Sequence, residues 1–213
     1  MINLVFDYDG TLHDSMNIYA PSFRACCALM REEGDNVREY TDEEIKRWIG
    51  MDVKSMWNEF RPDFPQEKKD RYGGFIGENM VKLINEGKAE LYDGVPELLG
   101  ELEERYRLIF LSSCKRSYMQ AHIRAFGLDR FFSGFYCTED YGFAPKYKIF
   151  EHIKEKYDGD FTVIGDRYSD METAEKFGLK SIGCLYGYGS EDELKNADIK
   201  VKSIEELRNS LIF

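Results

Sequence analysis

Apolar residues gather in short continuous runs along this chain: INLVF at 2–6, RLIFLS at 107–112, GFYC at 134–137, FTVIG at 161–165, SIGCLY at 181–186 and a weaker DIKV at 198–201. A strand with one wet face alternates apolar and polar positions. Runs without that alternation predict strands covered on both faces, as in a parallel sheet. Between them lie segments of helical spacing: VPELLGELEERY, RSYMQAHIRAFG, KIFEHIKEKY, DMETAEKFG and SIEELRNSLI. Pro96 sits near one predicted start, and Gly127 and Gly178 stand just past two predicted ends.

Residues 16–89 break this rhythm. They carry helical patterns (FRACCALMREEG, TDEEIKRWIG, VKSMWNEF, EKKDRY, IGENMVKLINEG) and no convincing strand. Pro21, Pro62 and Pro65 punctuate the stretch, and the Gly73–Gly74 pair predicts a helix break. Strand–helix alternation resumes after residue 105. The pattern predicts an α/β fold: a Rossmann-like, doubly wound parallel sheet core built from 1–15 and 90–213, with an all-helical cap inserted at 16–89.

The chain has 213 residues, 43% of them hydrophobic and 15% aromatic, enough to bury a substantial core. Its net charge of −11 speaks against nucleic acid and anionic membranes as partners, since phosphate-rich surfaces need basic patches. No segment approaches the roughly 20 apolar residues of a membrane span. The chain opens directly into a strand, which predicts no secretory leader. Five cysteines without CxxC spacing (Cys26, Cys27, Cys114, Cys137, Cys184) read as free thiols of a cytoplasmic protein. Of these, Cys114 lies just past a strand end, where a catalytic thiol would stand.

In open α/β sheets, sites form at the carboxyl ends of the strands. Polar residues collect at those ends here. The first run ends in Asp7-Tyr8-Asp9-Gly10-Thr11, the second in Ser112-Ser113, Lys146 and Lys148 follow the third, and the fourth leads into Gly165-Asp166-Arg167-Tyr168-Ser169-Asp170. Each has a structural reading of its own: a turn, a strand–helix junction with a capping residue, a solvated helix start. Four such elements, each at a strand terminus, point instead to one crevice holding a divalent cation and a phosphate. Acids supply hard oxygen ligands, and hydroxyls and a lysine supply donors for phosphoryl oxygens.

On these motifs the chain resembles the haloacid dehalogenase superfamily, on its phosphatase side. Its DxDGT motif stands as Asp7 to Thr11, its strand-closing Ser/Thr as Ser112, and its GDxxxD motif as Gly165 to Asp170. LYDGVPELLGEL resembles the core entry of the phosphoglycolate phosphatase and β-phosphoglucomutase branch. Two positions depart from that branch: Ala144 falls where its motif lysine would stand, and Ser113 where many members have asparagine. Other members place the lysine at a position matching Lys146, which is favoured over Lys148.

The resemblance implies that Asp7 attacks phosphorus and forms an aspartyl-phosphate. It implies that Asp9 acts as acid and then base, its carboxyl kept protonated by crowded acids and low solvation. Thr11, Ser112 and Lys146 would hold phosphoryl oxygens. Mg²⁺ would be bound by Asp7, Asp166, the Asp9 carbonyl and Asp170. An acid at position 9 argues against dehalogenation, whose branch lacks one. A phosphomutase of the same fold is the alternative, and a non-catalytic binding protein on this scaffold a more distant one. The expected partner is a small phosphorylated metabolite, and the expected state a monomer. In the cap, Lys54 is the candidate for substrate selectivity, Trp48 and Trp57 read as cap core, and His13 as an exposed turn residue.

Overall fold

The structure is a computed structural model and describes residues 1–212. Six strands form one all-parallel sheet: β1 (Asn3–Phe6), β4 (Arg107–Ser112), β5 (Phe132–Cys137), β6 (Phe161–Gly165), β7 (Lys180–Cys184) and β8 (Ile199–Val201), in the order β5-β4-β1-β6-β7-β8. Alternate residues of each strand face opposite sides. Leu4, Phe6, Leu108 and Phe110 pack into one apolar cluster, while Val5, Ile109, Leu111 and Val163 pack into another. This double burial is why the runs lack polar positions.

The first cluster is covered by α5 (Val95–Glu103), α6 (Arg116–Phe126) and α9 (Ile204–Ile212); the second by α7 (Lys146–Lys156) and α8 (Tyr168–Phe177). The sheet is thus doubly wound. Its strand order reverses direction beside β1, which pairs with β4 on one side and β6 on the other, and a crevice opens there at the carboxyl ends.

Residues 16–89 hold four helices: α1 (Met16–Glu32), α2 (Asp42–Lys46), α3 (Val53–Phe60) and α4 (Gln66–Asn85). They share an apolar cluster of their own, with Phe23, Trp48, Trp57, Phe60 and Tyr72 among its buried members. The chain enters and leaves this segment through a short antiparallel pair, β2 (His13–Asp14) and β3 (Glu90–Leu91).

One short element is unannounced in the sequence, and two local expectations differ from the structure. Strands of two residues carry no readable period, so the β2–β3 pair had no sequence signal. Gly73 and Gly74 do not break α4, which runs unbroken for 20 residues. Tyr72 and Ile76 of that helix are buried in the helical cluster, and a Cβ at Gly73 would lie 2.9 Å from Trp57 Nε1, so the glycine there serves close packing. Pro21 lies inside α1 and does not end it.

Candidate active site

Asp7 follows β1 directly, and its backbone N–H donates to the Ile164 carbonyl at 2.8 Å, which fixes it at the crevice floor. β4 ends at Ser112, β6 leads into Asp166, and the first turn of α8 carries Asp170. One carboxylate oxygen from each of Asp7, Asp166 and Asp170 lies within 4.8 Å of the others, and all three residues are buried. The cation among them is Lys146, at the start of α7, whose Nζ lies 2.6 Å from Asp7 Oδ1 and 2.7 Å from Asp170 Oδ1. Lys148 is exposed and pairs with Glu151, so Lys146 is the lysine that the fold brings to the acids.

Three carboxylates against one lysine leave the cluster short of positive charge. Burial, then the Asp170 charge, raises the Asp7 pKa well above its ordinary value, although Lys146 pulls the other way. Burial and Asp170 likewise raise Asp166 from 3.8 to about 6. Burial tends to strip the proton from Lys146, but the Asp170 and Asp7 charges outweigh it and raise its pKa. Mutually repelling buried oxygens of this kind suit a divalent cation.

The protein grips Asp166 tightly. Thr11 Oγ1 donates to its Oδ1 at 3.2 Å, and the Tyr188 backbone N–H donates to its Oδ2 at 2.7 Å. A Cβ at Gly187 would lie 2.4 Å from Asp166 Cβ and 2.5 Å from the Gly10 carbonyl. Gly10 itself has φ +83° and would place a Cβ 2.3 Å from Asp166 Oδ2. Only glycine lets both backbones close on this acid. Thr11, expected to hold a phosphoryl oxygen, is fully buried with its hydroxyl turned to Asp166.

Asp9 stands apart from the three-acid cluster. Its Oδ1 accepts from Ser15 Oγ at 2.6 Å and Tyr118 OH at 2.6 Å, and lies 3.1 Å from His13 Nδ1. Burial would raise its pKa, but the His13, Ser15 and Tyr118 contacts outweigh burial and lower it from 3.8 to about 2. The expectation of a carboxyl kept protonated by its crowded neighbours is therefore corrected: donors, not acids, surround it. His13 is corrected as well. It is fully buried, stacked on Tyr8 at 5.2 Å and packed at 4.4 Å against His122.

Above these acids lies a cleft of about 130 Å³ whose lining includes Asp7, Asp9, Ser112, Ser113, Lys115 and Tyr118 from the sheet side. Helical residues such as Tyr19, Met56, Ile76 and Met80 line the rest. Lys54 is exposed and lines an adjoining depression with Lys69, Asp70 and Glu139 that shares Val53, Gly73 and Lys115 with the cleft; Lys54 itself is not part of the cleft lining, whereas Val53 and Met56 of the same helix are. Cys114 lines the cleft, but burial and the Asp9 charge push its thiol pKa well up, opposite to what a thiolate nucleophile needs. Arg167 ties the two halves together, its Nη1 donating to the Ile49 carbonyl at 2.6 Å and its Nε to Glu193 at 3.0 Å.

Ser15, Lys115, Tyr118 and Tyr188 had not been singled out in the sequence. Tyr118 sits at an apolar helix position and reads as core. Tyr188 lies in GYGSED, a loop that folds onto Asp166.

A family profile described as "Haloacid dehalogenase-like hydrolase" matches residues 4–184. The chain belongs to that family. The hydrolase is 29% identical over 215 residues to the 5'-nucleotidase of Pseudomonas aeruginosa, covering 91% of this chain and 86% of the relative. It is 24% identical over 202 residues to the phosphoglycolate phosphatase of Synechococcus elongatus, covering 90% and 87%. The crystal structure of a "predicted phosphatase" from Clostridium acetobutylicum matches 99% of this chain and 97% of its own, with a TM-score of 0.83 at 25% identity. Within the family this hydrolase is a phosphatase.

Proposed function

We propose that this phosphatase is Mg²⁺-dependent and frees phosphate from a small phosphorylated metabolite through a phosphoryl group carried on Asp7. The observation that carries the reading is the buried trio Asp7, Asp166 and Asp170 at the crevice floor, with Lys146 between Asp7 and Asp170 and Asp9 held separately beside it. Hard oxygen donors that repel one another fit Mg²⁺, and the trio together with the Asp9 carbonyl would hold it. When bound, the ion offsets the repulsion between the Asp7 carboxylate and a phosphate dianion.

Asp7 forms the new O–P bond as the alcohol leaves, and water later breaks the aspartyl-phosphate. Asp9 rests as a carboxylate because of its three donors. It can act as base toward water from that state. To act first as acid it must take up a proton, and the approaching phosphate dianion drives this, because like charge disfavours its ionised form. Lys146 and Ser112 hold the transferring oxygens, and Thr11 orients Asp166.

Residues 16–89 act as a cap over a core of 1–15 and 90–213, and exclude water from the cleft. The five free cysteines suit a reducing cytoplasm, and no helix among the described residues is long and apolar enough to cross a membrane. The test is phosphate release from p-nitrophenyl phosphate. Excess chelator should abolish it and added Mg²⁺ restore it; full turnover in chelator refutes the metal site. Release of free phosphate, as opposed to an isomerised sugar phosphate, separates this reading from a mutase.

A further inference from the structure

The two carboxylate oxygens of Asp9 are treated differently. Among the described residues, every hydrogen bond to this side chain ends on Oδ1. Ser15 Oγ and Tyr118 OH each donate to it at 2.6 Å, and His13 Nδ1 lies 3.1 Å away. Oδ2 has no such partner, and Asp9 lines the cleft. One oxygen is anchored, and the other is left for chemistry.

The hydrogens follow by elimination. The Ser15 and Tyr118 O–H groups are spent on Asp9, so their oxygens offer His13 Nδ1 only lone pairs, at 2.9 and 3.3 Å. A bare Nδ1 would face three acceptor oxygens, lone pair against lone pair. Nδ1 therefore carries a hydrogen. Nε2 is buried and has no partner among the described residues, so the ring's polar contacts all run through Nδ1.

The surroundings hold that one nitrogen in place. The chain turns back sharply after Tyr8, whose carbonyl accepts from the N–H groups of Thr11, Leu12 and His13 at 3.2, 2.9 and 3.0 Å. The fully buried His13 ring stacks on Tyr8 at 5.2 Å and meets His122 edge-on at 4.4 Å. His122 Nδ1 lies 2.8 Å from Tyr8 OH, and burial foremost lowers its pKa to about 2, so it packs there as an uncharged ring.

We infer that His13 is a positioning residue for the reaction. Its Nδ1–H completes the anchor on Asp9 Oδ1 and Ser15, so that Oδ2 alone gives a proton to the leaving oxygen and later takes one from water. This rests on the phosphatase reading above, in which Asp9 is acid and base.

The experiment replaces His13 by residues that differ in where they hold an N–H. Asparagine carries its amide nitrogen at the δ position, like Nδ1; glutamine carries it one atom further, like Nε2; leucine has none. Each variant is assayed with Mg²⁺ on p-nitrophenyl phosphate, whose leaving group needs little protonation, and on phenyl phosphate, whose leaving group needs more. His13→Leu and His13→Gln should lower kcat/KM for phenyl phosphate by about tenfold, the scale of one hydrogen bond to a charged group, and leave p-nitrophenyl phosphate within about twofold. His13→Asn should keep most of the parent's rate on both. Equal losses on the two esters, or an asparagine variant as poor as leucine, overturn the inference. Nitrogen NMR of the imidazole rings in the parent protein, in excess chelator, needs neither a folded variant nor turnover. Nδ1 of His13 should be protonated; a bare Nδ1 overturns the inference. Asp9→Asn is the control for the underlying reading and should by itself cost phenyl phosphate more than p-nitrophenyl phosphate. No such split in Asp9→Asn overturns Asp9 as the acid, whereas a split there without one in His13→Leu overturns the role of His13 alone.

Discussion

Asp166→Asn should stabilise the metal-free protein, although it removes a proposed metal ligand. Asp166 is fully buried, and its pKa rises from 3.8 to about 6, burial first and the Asp170 charge next. A raised carboxyl pKa means that folding disfavours the ionised form. The cost is absent below the unfolded pKa and complete once pH exceeds about 6. At about 1.4 kcal/mol per pH unit the rise amounts to about 3 kcal/mol at pH 7.5, and to about 1.6 kcal/mol at pH 5. Asparagine removes the charge and keeps the contacts: its amide oxygen still accepts from the Tyr188 N–H, and its NH₂ donates to the Thr11 hydroxyl. In excess chelator at pH 7.5 the variant should therefore melt about 6–12 °C above the parent, at 2–4 °C per kcal/mol for a chain of this size.

The advantage should halve at pH 5. Added Mg²⁺ at about a thousand times the parent's dissociation constant should reverse it at pH 7.5, because the parent then gains about 4.1 kcal/mol while the variant gains far less. Thermal and urea denaturation at both pH values, with and without the ion, supply the numbers. A variant less stable than the parent in chelator, or one stabilised equally by Mg²⁺, refutes the reasoning.

Tyr118→Phe removes a 2.6 Å donor from Asp9 and should lower kcat by about tenfold or more with little change in KM, the worth of a hydrogen bond to a charged group; steady-state kinetics showing a change in KM alone contradict the orienting role. Gly187→Ala forces a methyl group to within 2.4 Å of Asp166 Cβ and should cost about 1–3 kcal/mol in urea denaturation together with weaker Mg²⁺ binding in titration. Lys54→Ala, at an exposed position outside the cleft lining, should leave kcat/KM within about twofold on all substrates, as surface changes generally do.

The sheet was legible because burial on both faces leaves a plain mark, an unbroken apolar run. The motif acids were legible because the strand ends carry them in chain order. The support around them was not. Tyr118 reaches Asp9 from 109 residues away, and no local pattern encodes such a contact; His13 and Ser15 lie within the same turn region, but their spacing carries no periodic signal that aims them at Asp9. That omission reversed the expected protonation of Asp9, since a count of nearby acids overlooks His13, then Ser15 and Tyr118, whose contacts lower its pKa. Lys54 lies outside the cleft lining for a related reason. Sequence spacing without a partner surface does not say which face of a helix meets the cleft. Gly73 and Gly74 looked like a break because propensity favours one, yet packing against Trp57 and the buried flank of α4 overrides it.

The most direct measurement is of where the phosphoryl group goes. The parent protein, Asp7→Asn and Asp9→Asn would each be mixed with Mg²⁺ and p-nitrophenyl phosphate, quenched in acid and mapped by mass spectrometry, with hydroxylamine lability as a second readout. A good leaving group needs little protonation, so Asp7 should still attack in the Asp9 variant while hydrolysis lags by about 10²–10⁴-fold. A hydroxylamine-labile adduct on Asp7 should accumulate there and be absent from Asp7→Asn. An adduct on Ser112, Cys114 or a histidine, or turnover that survives in Asp7→Asn, would contradict the assignment of Asp7 as the nucleophile.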